Sequence, residues 1–154
     1  MIKIMFVCHG NICRSPMAEY IFKDLLKKRG KEAYFFVSSS ATSDEEIIGG
    51  VGNPVYPPAK RELAKHSIFC EGKRAVQLKE SDYYKYDLFV GMDIANLINM
   101  KRIFVDDPEG KIRLLMSYTE RPGNVDDPWF TGKFDVTYKD IYEGCVGLLE
   151  SFEE

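Results

Sequence analysis

Near its start the chain passes without a break from an apolar run into a polar loop and then into an amphipathic stretch. Ile2-Lys3-Ile4-Met5-Phe6-Val7 is followed directly by Cys8-His9-Gly10-Asn11-Ile12-Cys13-Arg14-Ser15-Pro16. The run reads as a buried strand. Beyond the loop, Ala18, Ile21, Phe22, Leu25 and Leu26 recur at helical spacing. Ser15 supplies a capping hydroxyl and Pro16 suits a first helical position, while Lys27-Lys28-Arg29-Gly30 marks the helix end. A strand feeding straight into a helix is the first half of a βαβ unit. It commits the chain to a parallel sheet unless later segments contradict it.

They do not. Ala33 to Val37 reads as a second strand, followed by loops in the Ser-rich SSSATSDEE and in GGVGNPVYPP. Pro57-Pro58 opens a short helix to about His66. Arg74 to Leu78 is a short strand candidate, and Asp82 to Tyr86 a polar turn or short helix. Leu88-Phe89-Val90 is a buried strand, and Asp93 caps a helix to about Lys101. Ile103 to Val105 reads as a further strand, Ile112 to Leu115 is ambiguous, and a loop spans 117–133. A last helix, from Phe134 to Phe152, turns Val136, Ile141, Cys145, Leu148 and Leu149 inward. The expectation is one α/β domain over residues 1–154, a doubly wound, central four-stranded parallel sheet flanked by helices. Ligands of such sheets bind beyond the carboxyl ends of the strands, where residues 8–15 stand.

Composition removes several classes of function. The formal net charge is −3, which argues against a nucleic-acid partner. No apolar stretch approaches the roughly 18 residues of a membrane helix, and the N-terminus lacks the features of a secretion signal. The cytoplasm is the expected location. Cys8, Cys13, Cys70 and Cys145 then do not suggest a disulfide framework. With only His9 and His66 beside them, a closed zinc site is poorly supplied. No metal is expected.

The loop after the first strand suits an oxyanion. Backbone N–H groups of a strand-to-helix loop converge on one anion, and the helix N-terminus adds its positive end. Gly10 lets the backbone turn. Arg14 offers a planar fork for two oxygens. Cys8 at the loop base feels all these partial positive charges, which favour a thiolate. A thiolate beneath a bound phosphate is a nucleophile aimed at phosphorus. Ser15 can hydrogen-bond the sulfur, and Asn11 can tether the loop. The pattern is not a Walker loop, because no lysine stands where that motif needs one.

Cys8-(five residues)-Arg14-Ser15, in the fuller form CHGNICRSPMAE, resembles the signature of the low-molecular-weight protein tyrosine phosphatases. Asp127-Pro128-Trp129-Phe130 resembles the family's late acid loop, and YDLFVGMDIANL its strand-helix junction at Met92-Asp93. The resemblance covers essentially the whole chain. It implies that Cys8 attacks phosphotyrosine and that Arg14 and the loop amides bind the phosphoryl oxygens. It implies that Asp127, rather than the adjacent Asp126, is the general acid and base, and that Trp129 and Phe130 wall the cleft. His9, Gly10, Asn11, Ile12, Cys13 and Ser15 complete the phosphate loop; His9 either shapes the pocket mouth or faces solvent. No cofactor is implied. The partners are phosphotyrosine proteins, with phosphate or other oxyanions as product or inhibitor.

The resemblance has gaps. A serine expected to support the loop is matched by Ser39, but a supporting histidine is replaced by Cys70-Glu71-Gly72-Lys73. An aromatic of the pocket rim is replaced by Asp44-Glu45-Glu46, and a tyrosine pair by Trp129-Phe130. Cys13 is either a small buried residue or a redox guard of Cys8. Three other functions remain to be weighed. A thioredoxin-coupled arsenate reductase would need two redox cysteines close together where Cys70 stands alone. A protein arginine phosphatase would tend to carry threonine in place of Ile12. A non-catalytic phosphocarrier would lack both Arg14 and the late Asp-Pro.

Overall fold

The apolar run at the N-terminus forms β1 (Ile2–Cys8), the inner strand on which the molecule is built. The structure, a computed structural model, describes residues 1–153. In chain order the elements are β1, α1 (Arg14–Lys28), β2 (Phe35–Ala41), β3 (Ile47–Ile48), β4 (Val51–Gly52), α2 (Pro57–Ala64), β5 (Leu88–Gly91), α3 (Ile94–Phe104), β6 (Ile112–Leu114), α4 (Pro128–Thr131) and α5 (Phe134–Ser151). Single 3-10 segments at Glu32–Tyr34, Glu80–Lys85 and Leu115–Tyr118 join them. The sheet has the order β2-β1-β5-β6 and is parallel throughout, as the strand-helix alternation predicts.

Side-chain alternation along β1 divides the core in two. Ile4, Phe6 and Cys8 face α1, α2 and α5, packing with Phe22, Leu63, Ile141 and Leu148. Met5 and Val7 face α3, packing with Phe89, Met100, Phe104 and Tyr83. The chain leaves β1 for β2 on one side and later returns for β5 on the other. The end of β1 is therefore the switch point, where the diverging connections open a crevice.

The structure corrects the sequence reading at five places. Strand β2 runs on to Ala41, so Ser38, Ser39 and Ser40 are paired with Met5, Phe6 and Val7 rather than looped. Serine is a turn former by composition, but here Ser39 lies in the buried interior, where its hydroxyl has polar partners. Ile103 and Phe104 are helical, because Phe104 lies one turn beyond Met100 on the face that covers Phe89. Arg74 to Leu78 forms only isolated bridges, from Arg74 to Pro54 and from Gln77 to Ala41. Val136 is exposed, and Thr137 and Ile141 point inward in its place. Helix α1 begins at Arg14, so Ser15 lies inside the first turn and is not a cap.

The glycine-rich stretch forms a hairpin and a close backbone contact. Gly49 and Gly50, both at positive φ, turn the β3–β4 hairpin. A Cβ on Gly52 would lie 2.0 Å from the carbonyl oxygen of Ala75, so this strand and the 74–78 segment can meet only at glycine.

Candidate active site

Residues 8–15 wrap the carboxyl end of β1 so that backbone and side-chain donors converge on the Cys8 sulfur. Asn11 N–H lies 3.3 Å from it, Ser15 N–H 3.4 Å, and the Ser15 hydroxyl 3.0 Å. The convergence needs a left-handed turn at Asn11, whose φ is 58°. Asparagine tolerates that region better than most residues. Its side chain is held on three sides: Nδ2 donates to Ser15 Oγ at 2.7 Å and to Ser39 Oγ at 3.0 Å, and Oδ1 accepts from Val76 N–H at 3.0 Å. Asn11 thus ties the loop to β2 and to the 74–78 segment together.

Arg14 opens α1 and is only 3% exposed. Nη1 donates to Asp93 Oδ2 at 2.7 Å and to the Val125 carbonyl at 2.9 Å, while Nη2 stands 3.6 Å from Asp127 Oδ2. Burial works against the charged guanidinium. The charge at Cys8 together with Asp93 and Asp127 outweighs it and lifts Arg14 above its ordinary value. Asp93 also serves its own helix, since its Oδ1 accepts from Asn96 N–H at 2.8 Å and caps α3. The fork is therefore aimed by an aspartate that is itself fixed to a helix end.

Asp127 reaches the same place from the other side. Val125 is buried, with its N–H on the Met92 carbonyl at 2.9 Å, which pins the approach. Asp127 then caps the short helix α4, accepting from Trp129 N–H at 3.0 Å. Asp126 is exposed, whereas Asp127 lines the cavity.

That cavity measures about 330 Å³. Its floor is the loop from Cys8 to Arg14, one wall is Asp127, Trp129 and Phe130, and the other is Glu45 and Glu46. Trp129 is 54% and Phe130 84% exposed, and the Tyr56 ring supports Trp129 from behind with centroids 4.8 Å apart. His9 pairs with Glu45 at 3.0 Å on the rim. All the loop residues singled out in the sequence are gathered here, with Ser15 behind the sulfur. Cys13 packs with Ile12 and Ala75, and burial, then the charges at Cys8 and Asp127, push its thiol well up. All four cysteines are free. Among the described residues no group of three or more His, Cys, Asp or Glu could hold a metal.

Sequence reasoning misses four contributors. Asp93 is visible as a helix cap and as part of a junction but not as a partner of Arg14, since that contact spans 79 positions. Tyr56 gives no signal. Where the resemblance leads to a histidine, Lys73 reaches in, donating to the Ser39 carbonyl at 3.1 Å, with Glu19 Oε1 3.8 Å away. Glu19 itself sits among the helical residues as an ordinary charge.

Known proteins resemble this chain over its whole length. A family described as "Low molecular weight phosphotyrosine protein phosphatase" matches residues 3–154. The "Low molecular weight protein-tyrosine-phosphatase YfkJ" of Bacillus subtilis is 35% identical, over 100% of this chain and 97% of that one. Its crystal structure superposes with a TM-score of 0.93 at 34% identity, covering 99% and 95% of the two chains. A "Low molecular weight phosphotyrosine protein phosphatase" of Schizosaccharomyces pombe is 37% identical over 98% of this chain and 94% of its own. A crystal structure described as a Drosophila arginine phosphatase superposes at a TM-score of 0.89 with 30% identity, covering 99% of each chain.

Proposed function

Since the chain belongs to the low molecular weight phosphotyrosine protein phosphatase family, we propose that it hydrolyses phosphotyrosine in proteins through a cysteinyl-phosphate, with Cys8 as nucleophile, Arg14 and the loop amides as the phosphate site and Asp127 as acid and base. The observation that carries this reading is the position of the Cys8 sulfur, at the focus of two backbone N–H groups and a hydroxyl, on the floor of the cavity that Asp127 walls.

The chemistry follows from that arrangement. The Cys8 thiolate attacks phosphorus, forming the S–P bond as the P–O bond to the tyrosine ring breaks. Asp127 gives its proton to the departing phenolate oxygen, so tyrosine leaves neutral. Asp127, now a carboxylate, takes a proton from water as the water oxygen attacks phosphorus. The S–P bond breaks, releasing inorganic phosphate and restoring the thiolate. The charge on the three equatorial oxygens is met by Arg14 and the loop N–H groups. The Ser15 hydroxyl stabilises the sulfur as it leaves. His9, Gly10, Ile12 and Cys13 shape the loop around the phosphate, and Trp129 and Phe130 face the substrate ring.

Ile12 bears on the choice between phosphotyrosine and phosphoarginine. Its side chain has no donor or acceptor and packs against Cys13 and Ala75; it cannot orient a guanidinium. We take residues 1–154 as one domain, and no helix of the described residues is long and apolar enough to cross a membrane. Four free thiols fit work in the cytoplasm.

The test is hydrolysis of p-nitrophenyl phosphate with EDTA present between pH 5 and 7, beside matched phosphotyrosine and phosphoarginine substrates. Turnover of both aryl phosphates, with phosphoarginine slower, is expected. Cys8→Ser should abolish turnover and still bind phosphate. Asp127→Asn should lose about 10²–10⁴-fold on phenyl phosphates and much less where the leaving group needs no proton. Equal losses on the two would remove Asp127 from the acid role.

A further inference from the structure

Behind the phosphate loop, on the side away from the cavity, lies a buried ion pair that the proposed chemistry does not use. Glu19 of α1 is 4% exposed, and the Lys73 side chain 10%. Lys73 Nζ donates to the Ser39 carbonyl at 3.1 Å and faces Glu19 Oε1 at 3.8 Å. Lys23, from the next turn of α1, pairs with the other carboxylate oxygen. A buried lysine is costly unless paired. Burial pulls the Lys73 ammonium below its ordinary value, Glu19 opposes this, Lys23 adds to it, and the charge at Cys8 again favours the ammonium.

Donor and acceptor chemistry then gives the contacts around Glu19 a direction. A carboxylate can only accept. The Ser39 hydroxyl, 2.6 Å from Glu19 Oε1, must therefore donate to it. With its proton committed, Ser39 Oγ is left to accept from Asn11 Nδ2 at 3.0 Å. Val76 N–H on Asn11 Oδ1 fixes the same amide orientation. Asn11 Nδ2 also donates to Ser15 Oγ at 2.7 Å, so the Ser15 proton is free to point elsewhere. Its choices are the Cys8 sulfur at 3.0 Å and the Ser40 carbonyl at 3.5 Å, and the shorter contact wins. The charge at Glu19 thus sets each donor in turn and ends in a hydroxyl aimed at the nucleophile.

We propose that Lys73, balancing the buried charge of Glu19, is a positioning residue of the phosphatase reaction, holding the Ser39–Asn11–Ser15 relay in the one direction that stabilises the Cys8 thiolate. The inference rests on the reading of Cys8 as nucleophile. Other charged groups meet the same two ends. Arg14 feels the charge at Cys8 and is itself faced by Asp93 and Asp127, and Asp127 and Glu46 line the cavity with Cys8. Beyond Lys73, Arg74, Cys70 and the Lys60–Glu71 pair line a shallow hollow.

The experiment is the pH dependence of Cys8 alkylation by iodoacetamide, counted by mass against a Cys8→Ser blank, with kcat and KM measured beside it. In Lys73→Met the alkylation midpoint should rise by about half to one pH unit, slowing alkylation about three- to tenfold below it. The fall in rate should lie in kcat more than in KM, and Lys73→Arg should restore most of it. A Lys73→Met profile coincident with wild type overturns the proposal even where melting temperature falls, since that pattern is packing alone. Should Lys73→Met fail to fold, Ser39→Ala cuts the relay and leaves the ion pair in place. It must move the profile the same way, and coincidence with wild type again overturns the proposal. Alkylation reads the thiol without turnover, so loss of the relay effect stays distinct from failure of the hydrolysis reading, which would appear as turnover retained in Cys8→Ser.

Discussion

A single carboxylate shows how the site is held. Asp93 accepts from Arg14 with one oxygen and from Asn96 N–H with the other, and the two roles can be separated. Asp93→Asn retains an oxygen for the helix cap but gives up the charge opposite Arg14. Its melting temperature should stay within a few degrees of wild type, while kcat/KM falls about 10-fold or more and inhibition by phosphate weakens. Asp93→Ala should add the loss of the cap, about 1 kcal/mol. Thermal melts and phosphate inhibition constants measure both; equal stability losses in the two variants would contradict the separation. At this scale the sequence is informative only where the residues of one job are contiguous. Cys8, Asn11, Arg14 and Ser15 fall within one loop, and the requirements of an oxyanion site explain each residue type. Arg14 with Asp93, or Lys73 with Glu19, are joined only by folding, and no spacing along the chain encodes them. Ser39 is reached by resemblance, and its hydrogen bonds to Asn11 and Glu19 explain its presence.

Among the elements, β1 and β5 are legible in advance as apolar runs, α1 and α5 by their helical spacing, and α2 and α3 by the residues that open them. One short apolar run misleads. Ile103-Phe104-Val105 fits a strand or the end of a helix equally well, and contact of Phe104 with Phe89 and Tyr83 decides for the helix. The serines of β2 look like a loop because the burial that gives their hydroxyls partners is not visible in composition. One turn between elements bears on stability. Asp107 accepts from the Tyr83 hydroxyl and from Lys111 and Ile112 N–H, joining the 3-10 segment at Glu80–Lys85 to the start of β6. Burial disfavours its charge, but these donors prevail and hold the carboxyl below its ordinary value. The contribution to stability is therefore complete above the unfolded carboxylate range and disappears as pH falls through the folded value. Asp107→Ala should lose about 1–3 kcal/mol at pH 7, a melting-point drop of roughly 3–10 °C. The gap from wild type should narrow as pH falls below the ordinary carboxylate range; a gap constant with pH would rule out the charge as its source.

Over the whole molecule, charge is unevenly disposed about the cavity. Glu45 and Glu46 form one lip and Asp127 part of the other, around a floor built for a dianion. A phosphopeptide with lysine or arginine beside the phosphotyrosine should therefore be preferred over one with flanking acids, by about two- to fivefold in kcat/KM, as expected for exposed charges. The preference should shrink in high salt and narrow in a Glu45→Gln/Glu46→Gln variant; equal rates on the two peptides at low salt would contradict it. The sheet order, by contrast, is felt far from the rim. Cys8 lies in the same core cluster as Ile141, Cys145, Leu148 and Leu149 of α5, and the Cys145 thiol donates to the Ala18 carbonyl of α1. The helix that seats the loop is thus synthesised well over a hundred residues after it. On the ribosome, the nucleophile emerges early but waits for α5 before the core beneath its loop is complete.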